Sequence, residues 1–497
     1  MNKNIFYIAF IISVAVSTIS FATGSGESGS DLSDSIKDSI VYLESSSYGY
    51  NIMEPWNHST LSERWSCACA IGPYEVITTA QSVANITFLR ALRYGQNEFV
   101  GAKIKVVDYQ TNLCLIELDP NELSEPLVPI EFLEDYQKGA AVDCYWLTLD
   151  SSVLNARGFL DRVSVEKVRT SFGQHLRYNI TGASQATSSG EIYYIDSKAI
   201  GIACRSNAEE VSLIPAEIIN RFLKAIADDN YEGFGNVGFA ISELLNPSMR
   251  DYLKIPDSIK GGVYVADVHN LGTGSDILKS SDVILTIDGN EIDPYGRFQH
   301  SKYERLLFDH LITAKNVGDT VTFELWRDAE EIMIQAKVEK FEASDMLVPY
   351  HEFDQQPEYL VISGFVLQKL TREYLSEFGS DMAGDAPSHL FHYYRDLAFK
   401  PTPERRDIVI LSYVLPTQFN LGFSGLGQMV VKTINGMQIS SVDEIPEALE
   451  LDPDSKYHVI EFELDNPLVV IEREQISSAD LFVRENYGVT KLSNINR

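Results

Sequence analysis

The sequence predicts a mainly β protein, with a domain of short strands first and two smaller α+β domains after it. Three observations point there. Between residues 34 and 228, short apolar segments alternate with Pro, Gly and Asn/Asp turns. That spacing suits a β-barrel or sandwich, not alternating β and α units. Residues 233–340 hold an alternating strand, a second strand ending in the tight-turn pair Asp288-Gly289, and a terminal hairpin. Residues 341–490 repeat that plan in outline. The chain has 497 residues, enough for about three ordinary domains.

Taken in order, residues 1–22 read as an export signal. Lys3 is followed by the apolar run Ile5 to Val16 and by the small residues of Ser20-Phe21-Ala22. The run is short for a membrane span, and no later segment is apolar enough to be one. Residues 23–33 are Gly/Ser-rich and read as a flexible leader. The mature chain is therefore expected to be exported, periplasmic or secreted. The formal net charge of −31 argues against nucleic acid and anionic membrane surfaces as partners. The five cysteines, at 67, 69, 114, 144 and 204, are an odd number and read as small core residues. Three glycosylation patterns begin at Asn57, Asn85 and Asn179.

In the first domain, strands are expected at Ser39 to Leu43, Ser66 to Ile71, Glu75 to Thr79, Lys103 to Asp108, Leu113 to Glu117, Ala141 to Leu147 and Ala199 to Cys204. A closing helix, Pro215 to Ala227, places Ile218, Ile219, Phe222, Leu223 and Ile226 at helical spacing. The strand before Thr79 runs into Ala80-Gln81-Ser82-Val83, a turn with one helical turn.

This order resembles the double-barrel protease domain of the HtrA/Deg family. There the matching stretch reads T-x-A-H-x-V and its His is the general base. Gln81 stands at that position. Thr111-Asn112-Leu113-Cys114-Leu115 resembles T-D-L-A-L and puts Asn112 where the orienting Asp belongs. Ala186-Thr187-Ser188-Ser189-Gly190 set against G-N-S-G-G puts Ser188 at the nucleophile, with Ser189 an equally defensible register. An amide cannot take a proton near neutral pH, and a serine hydroxyl needs a base with an orienting partner. The resemblance thus implies a pseudoprotease with degenerate positions Gln81, Asn112 and Ser188 and no catalytic residue. The alternative is an active serine endopeptidase with a non-standard base. A Ser–Lys pair with Lys198 is conceivable, but nothing specific in the sequence supports it.

In the middle domain, strands are expected at Gly261 to Val268, Asp282 to Ile287, Asp319 to Arg327 and Ile332 to Val338, with a helix over Arg305 to Lys315. The order resembles a PDZ domain in the HtrA arrangement, with Ser281 replacing a usual glycine. PDZ domains bind extended peptides by strand addition and hold the terminal carboxylate with loop amides. Val237, Gly238, Phe239, Ala240 and Ile241 are the implied peptide-binding segment, with Phe239 and Ile241 either lining a groove or filling the core.

In the last domain, strands are expected at Tyr359 to Leu367, Arg406 to Leu415, Met429 to Ile434, Tyr457 to Leu464 and Leu468 to Arg473, with a helix over Thr371 to Glu377. Leu347 to Tyr359 and Ile408 to Leu415 resemble the second, atypical PDZ domain of the plant-type Deg branch. Phe308-Asp309-His310-Leu311 in the middle domain carries the same resemblance. His389 and His392, three apart, could hold a metal only with a third ligand. No metal and no cofactor is expected. The fold class is thus a trypsin-like double β-barrel followed by two PDZ-like domains. The resemblance implies a homo-oligomer, trimer or hexamer, that binds polypeptide termini or misfolded segments as a chaperone-like or scaffold protein.

Overall fold

The computed structural model describes residues 36–495, apart from 135, 136, 184–188, 229, 230 and 465–467. The signal, the leader and Ser188 lie outside the described residues.

Two closed six-stranded barrels form the first domain. The first comprises β1 (Ile40–Ser47), β2 (Ser62–Ala70), β3 (Glu75–Thr78), β4 (Ile86–Arg93), β5 (Val100–Asp108) and β6 (Leu113–Leu118), closing in the order β1-β2-β3-β6-β5-β4. The second comprises β7 (Ala141–Leu147), β8 (Val153–Lys167), β9 (Gln174–Thr181), β10 (Ile192–Ile195), β11 (Lys198–Ser206) and β12 (Glu210–Pro215), in the order β10-β11-β12-β9-β8-β7. Side-chain alternation explains why the strands of the first barrel read as continuous apolar runs. Val41, Leu43, Ala68, Val76 and Ile116 fill its interior. Their neighbours Ile40, Tyr42, Cys69, Ile77 and Leu115 join the core shared with the second barrel. All five cysteines are buried and unbridged. Helix α1 (Ala216–Ala227) closes the domain through Ile218, Ile219 and Phe222, each buried side chain contributing roughly 1.5–3 kcal/mol.

The middle domain carries the sheet β13 (Phe239–Ser242), β14 (Val263–Val268), β15 (Val283–Ile287), Thr320–Arg327 and Glu330–Lys337, with β13 at its edge. The helix expected over Arg305 to Lys315 is a correction. Glu304–Leu307 is a strand paired with Arg297–His300, and only Asp309–Thr313 is helical. Burial of Leu306 and Phe308 in the shared core overrides the helical spacing. Ser281, where a glycine was expected, does adopt φ +81°.

The last domain has an antiparallel sheet built on Tyr359–Ile362, Phe365–Lys369, Val409–Val414, Gly427–Ile434, Tyr457–Phe462 and Val469–Glu472. Helices Ser388–Asp396 and Ile476–Tyr487 were not foreseen as elements. Among the described residues, no helix is long and apolar enough to cross a membrane.

Candidate functional site

The end of β3 and the start of β6 bring Gln81 and Asn112 together, although they lie 31 residues apart. Thr79 leads into a single 3₁₀ turn, Ala80–Ser82, whose hydroxyls Thr79 Oγ1 and Ser82 Oγ lie 2.6 Å apart. Asn112 is buried at φ +67°, and its Oδ1 accepts the Gln81 backbone N–H at 2.9 Å. The Gln81 side chain points across the cleft, and its Nε2 donates to Cys204 O at 3.0 Å. Neither amide can take a proton near neutral pH.

Ser189 lies on the far wall. Its N–H donates to Glu191 Oε2 at 2.8 Å, and its carbonyl accepts from Cys67 N at 2.8 Å. Gly190 follows at φ +90°. A Cβ there would sit 2.1 Å from Cys67 O, so only glycine fits. The Glu191 carboxyl is 1% exposed, and burial pushes its pKa up to about 7. Its second oxygen, Oε1, has no partner among the described residues. The amide that could stabilise an oxyanion at Ser189 is therefore turned inward onto this carboxylate.

A segment of the last domain roofs the cleft. Gln81, Ser82 and Ser189 share a cavity of about 400 Å³ with His351 and Phe353. Phe353 stacks on Tyr109 with ring centres 4.3 Å apart. Asp354 accepts the Asn85 N–H at 2.7 Å, and its own N–H donates to Asn85 Oδ1 at 2.7 Å. The Tyr109 hydroxyl also donates to the Asp354 carboxylate. Asn85 is thereby engaged, and Asn179 is buried in side-chain hydrogen bonds, so two of the three glycosylation patterns are occupied by the fold.

His351 is the residue that sequence reasoning missed here. It lies 270 positions from Gln81, in the Leu347 to Tyr359 motif, and nothing in that motif places it over the cleft. Its Nδ1 faces the Glu373 carboxylate and its Nε2 lies 3.2 Å from Arg372 Nη1. His389 and His392 engage Gln428 O and Asp396 respectively.

The segment from Val237 to Ile241 borders a second cavity, of about 520 Å³. β13 pairs only with β14 and leaves its other edge without a strand neighbour among the described residues. Val237, Phe239, Asp309, Thr313, Lys167 and Arg395 are among the residues that line the cavity. Phe239 is buried and also lines this cavity. It stacks on Phe308 at 5.5 Å in the core and also reaches the cavity wall. Ile241 packs, partly buried, against the same core. Gly238 is required by close approach, since a Cβ would lie 2.6 Å from Gly272 O. Its N–H donates to Thr273 O at 3.0 Å and so does not point into the cavity. Burial raises the Asp309 carboxyl to about 6, and Gln174 Nε2 donates to it at 3.0 Å.

Residues 348–493 match the PDZ domain family. The chain is 27% identical over 458 residues to chloroplastic Protease Do-like 2 of Arabidopsis thaliana, covering 90% of this chain and 73% of that protein. It is 24% identical over 429 residues to the mitochondrial Putative protease Do-like 3 of the same plant, covering 83% and 72%. Among solved structures, the HtrA-type protease AlgW with decapeptide superposes with a TM-score of 0.46 at 13% identity, over 62% of this chain and 98% of that one. Over most of its length this chain is therefore similar to Do-like proteases, and its C-terminal domain matches the PDZ domain family.

Proposed function

We propose that this HtrA/Deg chain has lost acyl-transfer chemistry and binds polypeptide ends, as a chaperone-like or scaffold protein. The observation that carries this reading is the unpaired edge of β13 beside a walled cavity of about 520 Å³. An extended peptide adding to that edge would gain main-chain hydrogen bonds without any catalytic group. Because Gly238 N–H is engaged, two cations lining that cavity, Lys167 and Arg395 (the latter also paired with Asp396), are the proposed partners of a terminal carboxylate. Loss of chemistry is supported by the amides at Gln81 and Asn112 and by the inward amide of Ser189.

The test is fluorescence anisotropy with a labelled peptide, once with a free C-terminus and once amidated. The free acid is expected to bind at least tenfold tighter, and a Lys167→Ala/Arg395→Ala double variant to remove that difference. Equal binding of acid and amide would sink the carboxylate reading.

A second reading has one observation in its favour. His351 brings an imidazole, oriented by Glu373, into the same cleft as Ser189. A working serine endopeptidase would then use a base supplied by another domain. Against this stands Arg372, which occupies the Nε2 that would have to take the proton. Labelling by a fluorophosphonate probe that vanishes in Ser188→Ala or Ser189→Ala and in His351→Ala would establish the protease. No labelling is expected.

The basic-then-apolar start of the chain supports export, whereas the relatives named above are chloroplastic and mitochondrial. N-terminal sequencing of the mature protein decides between them. The exposed Leu61, Trp65 and Phe88 of the first barrel are consistent with a trimer or hexamer, which light scattering would measure.

A further inference from the structure

The middle domain meets the second barrel at a joint where helix Asp309–Thr313 packs on β9, and three histidines gather there. His175 comes from β9, His310 from the helix and His300 from the hairpin of Arg297–His300 and Glu304–Leu307. His175 and His310 line one cavity of about 220 Å³ with Glu217, Arg221 and Phe234. The His300 and His310 rings meet edge to face at 5.6 Å, and His175 stands edge-on to Phe234 at 5.4 Å. Arg221 of α1 ties the joint together. Its guanidinium donates to Thr313 O at 2.9 Å and to Lys315 O, and lies 4.3 Å from the Phe234 ring centre. The bond from Gln174 Nε2 to Asp309 crosses the same contact.

This packing requires neutral imidazoles. His300 Nδ1 accepts the N–H groups of Lys302 at 3.1 Å and Tyr303 at 3.2 Å, so a proton there removes both bonds. His175 is 2% exposed, and its Nε2 has no partner among the described residues. None of the three forms an ion pair among those residues. The cations facing them are Arg177 of β9 and Arg221 of α1 at His175, Arg221 at His310, and Lys302 at His300. The neighbouring carboxylates are committed elsewhere. Glu217 accepts the Tyr303 hydroxyl at 2.6 Å, and Asp309 accepts from Gln174. Glu166, opposite His175 on β8, holds Arg205 and Asn179, and Glu304, opposite His300, holds Lys138. A charge buried here would have no free counter-charge.

We propose that this joint is an acid-released contact between the middle domain and the second barrel. Protonation of His310, His300 and His175 adds positive charge beside Arg221 and Arg177 and drives helix Asp309–Thr313 off β9. Burial, with His300 and Arg221 beside it, holds His310 down to about 4, and burial also holds His175 and His300 below the ordinary 6.5. The unfolded chain takes up these protons near 6.5, so the packed joint loses stability as pH falls from there toward 4. Asp309 acts in the opposite sense. Burial raises it to about 6, and its proton favours the packed form. Gln174 and Asp309 also line the β13 cavity, so release would reshape that groove. Only this last consequence rests on the peptide-binding reading.

Hydrogen exchange of the full chain, followed by mass spectrometry from about pH 7.5 to about pH 4.5 and corrected for intrinsic exchange rates, tests the idea. Protection of Gln174–Thr181 and Asp309–Thr313 is expected to fall at least tenfold, while Glu75–Thr78 and Leu113–Leu118 of the first barrel keep theirs. A His175→Asn/His310→Asn double variant should lose most of that fall. Nuclear magnetic resonance titration of the parent imidazoles gives a second readout that needs no variant, and all three are expected to titrate well below 6.5. Protection that does not change with pH, simultaneous loss in the first barrel, an equal fall in the folded double variant, or imidazoles titrating near 6.5 would overturn it. Equal binding of acid and amidated peptides, which sinks the carboxylate reading, would leave this result standing.

Discussion

The barrel cleft and the β13 groove are both places where HtrA/Deg geometry could meet a polypeptide, and they are built in opposite ways. In the cleft, the key polar groups have an internal partner. Asn112 holds the Gln81 backbone, the Gln81 amide holds Cys204 O, and Glu191 holds the Ser189 N–H. A roof of Phe353 and Asp354 then covers them. In the groove, one strand edge and a large cavity are left open. Consuming polar groups internally stabilises a fold but leaves nothing to stabilise a transition state. The first site is closed by its own hydrogen bonds, and the second leaves one strand edge without a neighbour among the described residues.

The largest effect expected on this contrast comes from Gly190→Ala. The added Cβ meets Cys67 O at 2.1 Å in a left-handed backbone, so a loss of more than about 4 kcal/mol is expected. Thermal melting should show a fall of roughly 10 °C or more. A variant melting like the parent would mean that the cleft floor is not rigid.

Glu191 is next. Its folded-state value of about 7 lies above the ordinary 4.5, so the folded protein holds this proton more tightly than the unfolded chain. That contribution is complete below about 4.5 and lost as pH rises through 7, amounting to about 3 kcal/mol. Glu191→Gln should remove it. Relative to the parent, the variant's stability to urea should improve between pH 5 and 8, and parallel pH profiles would contradict the assignment.

Asp354→Ala should open the roof at a cost of about 1 kcal/mol, since its hydrogen bonds lie near the surface. Faster amide exchange at Gln81 and Ser82, with the barrel cores still protected, is the readout. Unchanged exchange there would mean that Phe353 alone closes the cleft.

The smallest effect is expected from Gln81→His/Asn112→Asp. Casein hydrolysis should remain undetectable, because the Ser189 N–H still points at Glu191. Recovered hydrolysis would show that the missing imidazole was the sole defect.

Much of the molecule was legible in local pattern. The helix over Ala216–Ala227 was marked by its apolar spacing, and the Asp288-Gly289 turn by its pair of residues. The segment Arg305 to Leu307 was misread, because a helical period in a short apolar stretch cannot be told from a strand until its partner, Arg297–His300, is known. The 15-residue β8 was passed over, since its exposure follows the barrel wall with no simple alternation. Within the cleft, Gln81 and Asn112 could be named from motif positions, whereas His351 and Asp354 stand in a motif of the last domain whose place over the cleft no local pattern shows.

By itself the sequence determined that Gln81 is no general base, because an amide cannot take a proton near neutral pH. It also determined the mainly β class, through turn residues and strand-like segments read within short windows. The tertiary structure alone decided what surrounds those residues. Asp354 reaches Asn85 across 269 positions, and the Gln81 amide reaches Cys204 O across 123. Such contacts depend on how domains close over one another, and that depends on burial and hydrogen-bond satisfaction summed over the whole chain, which no local window contains.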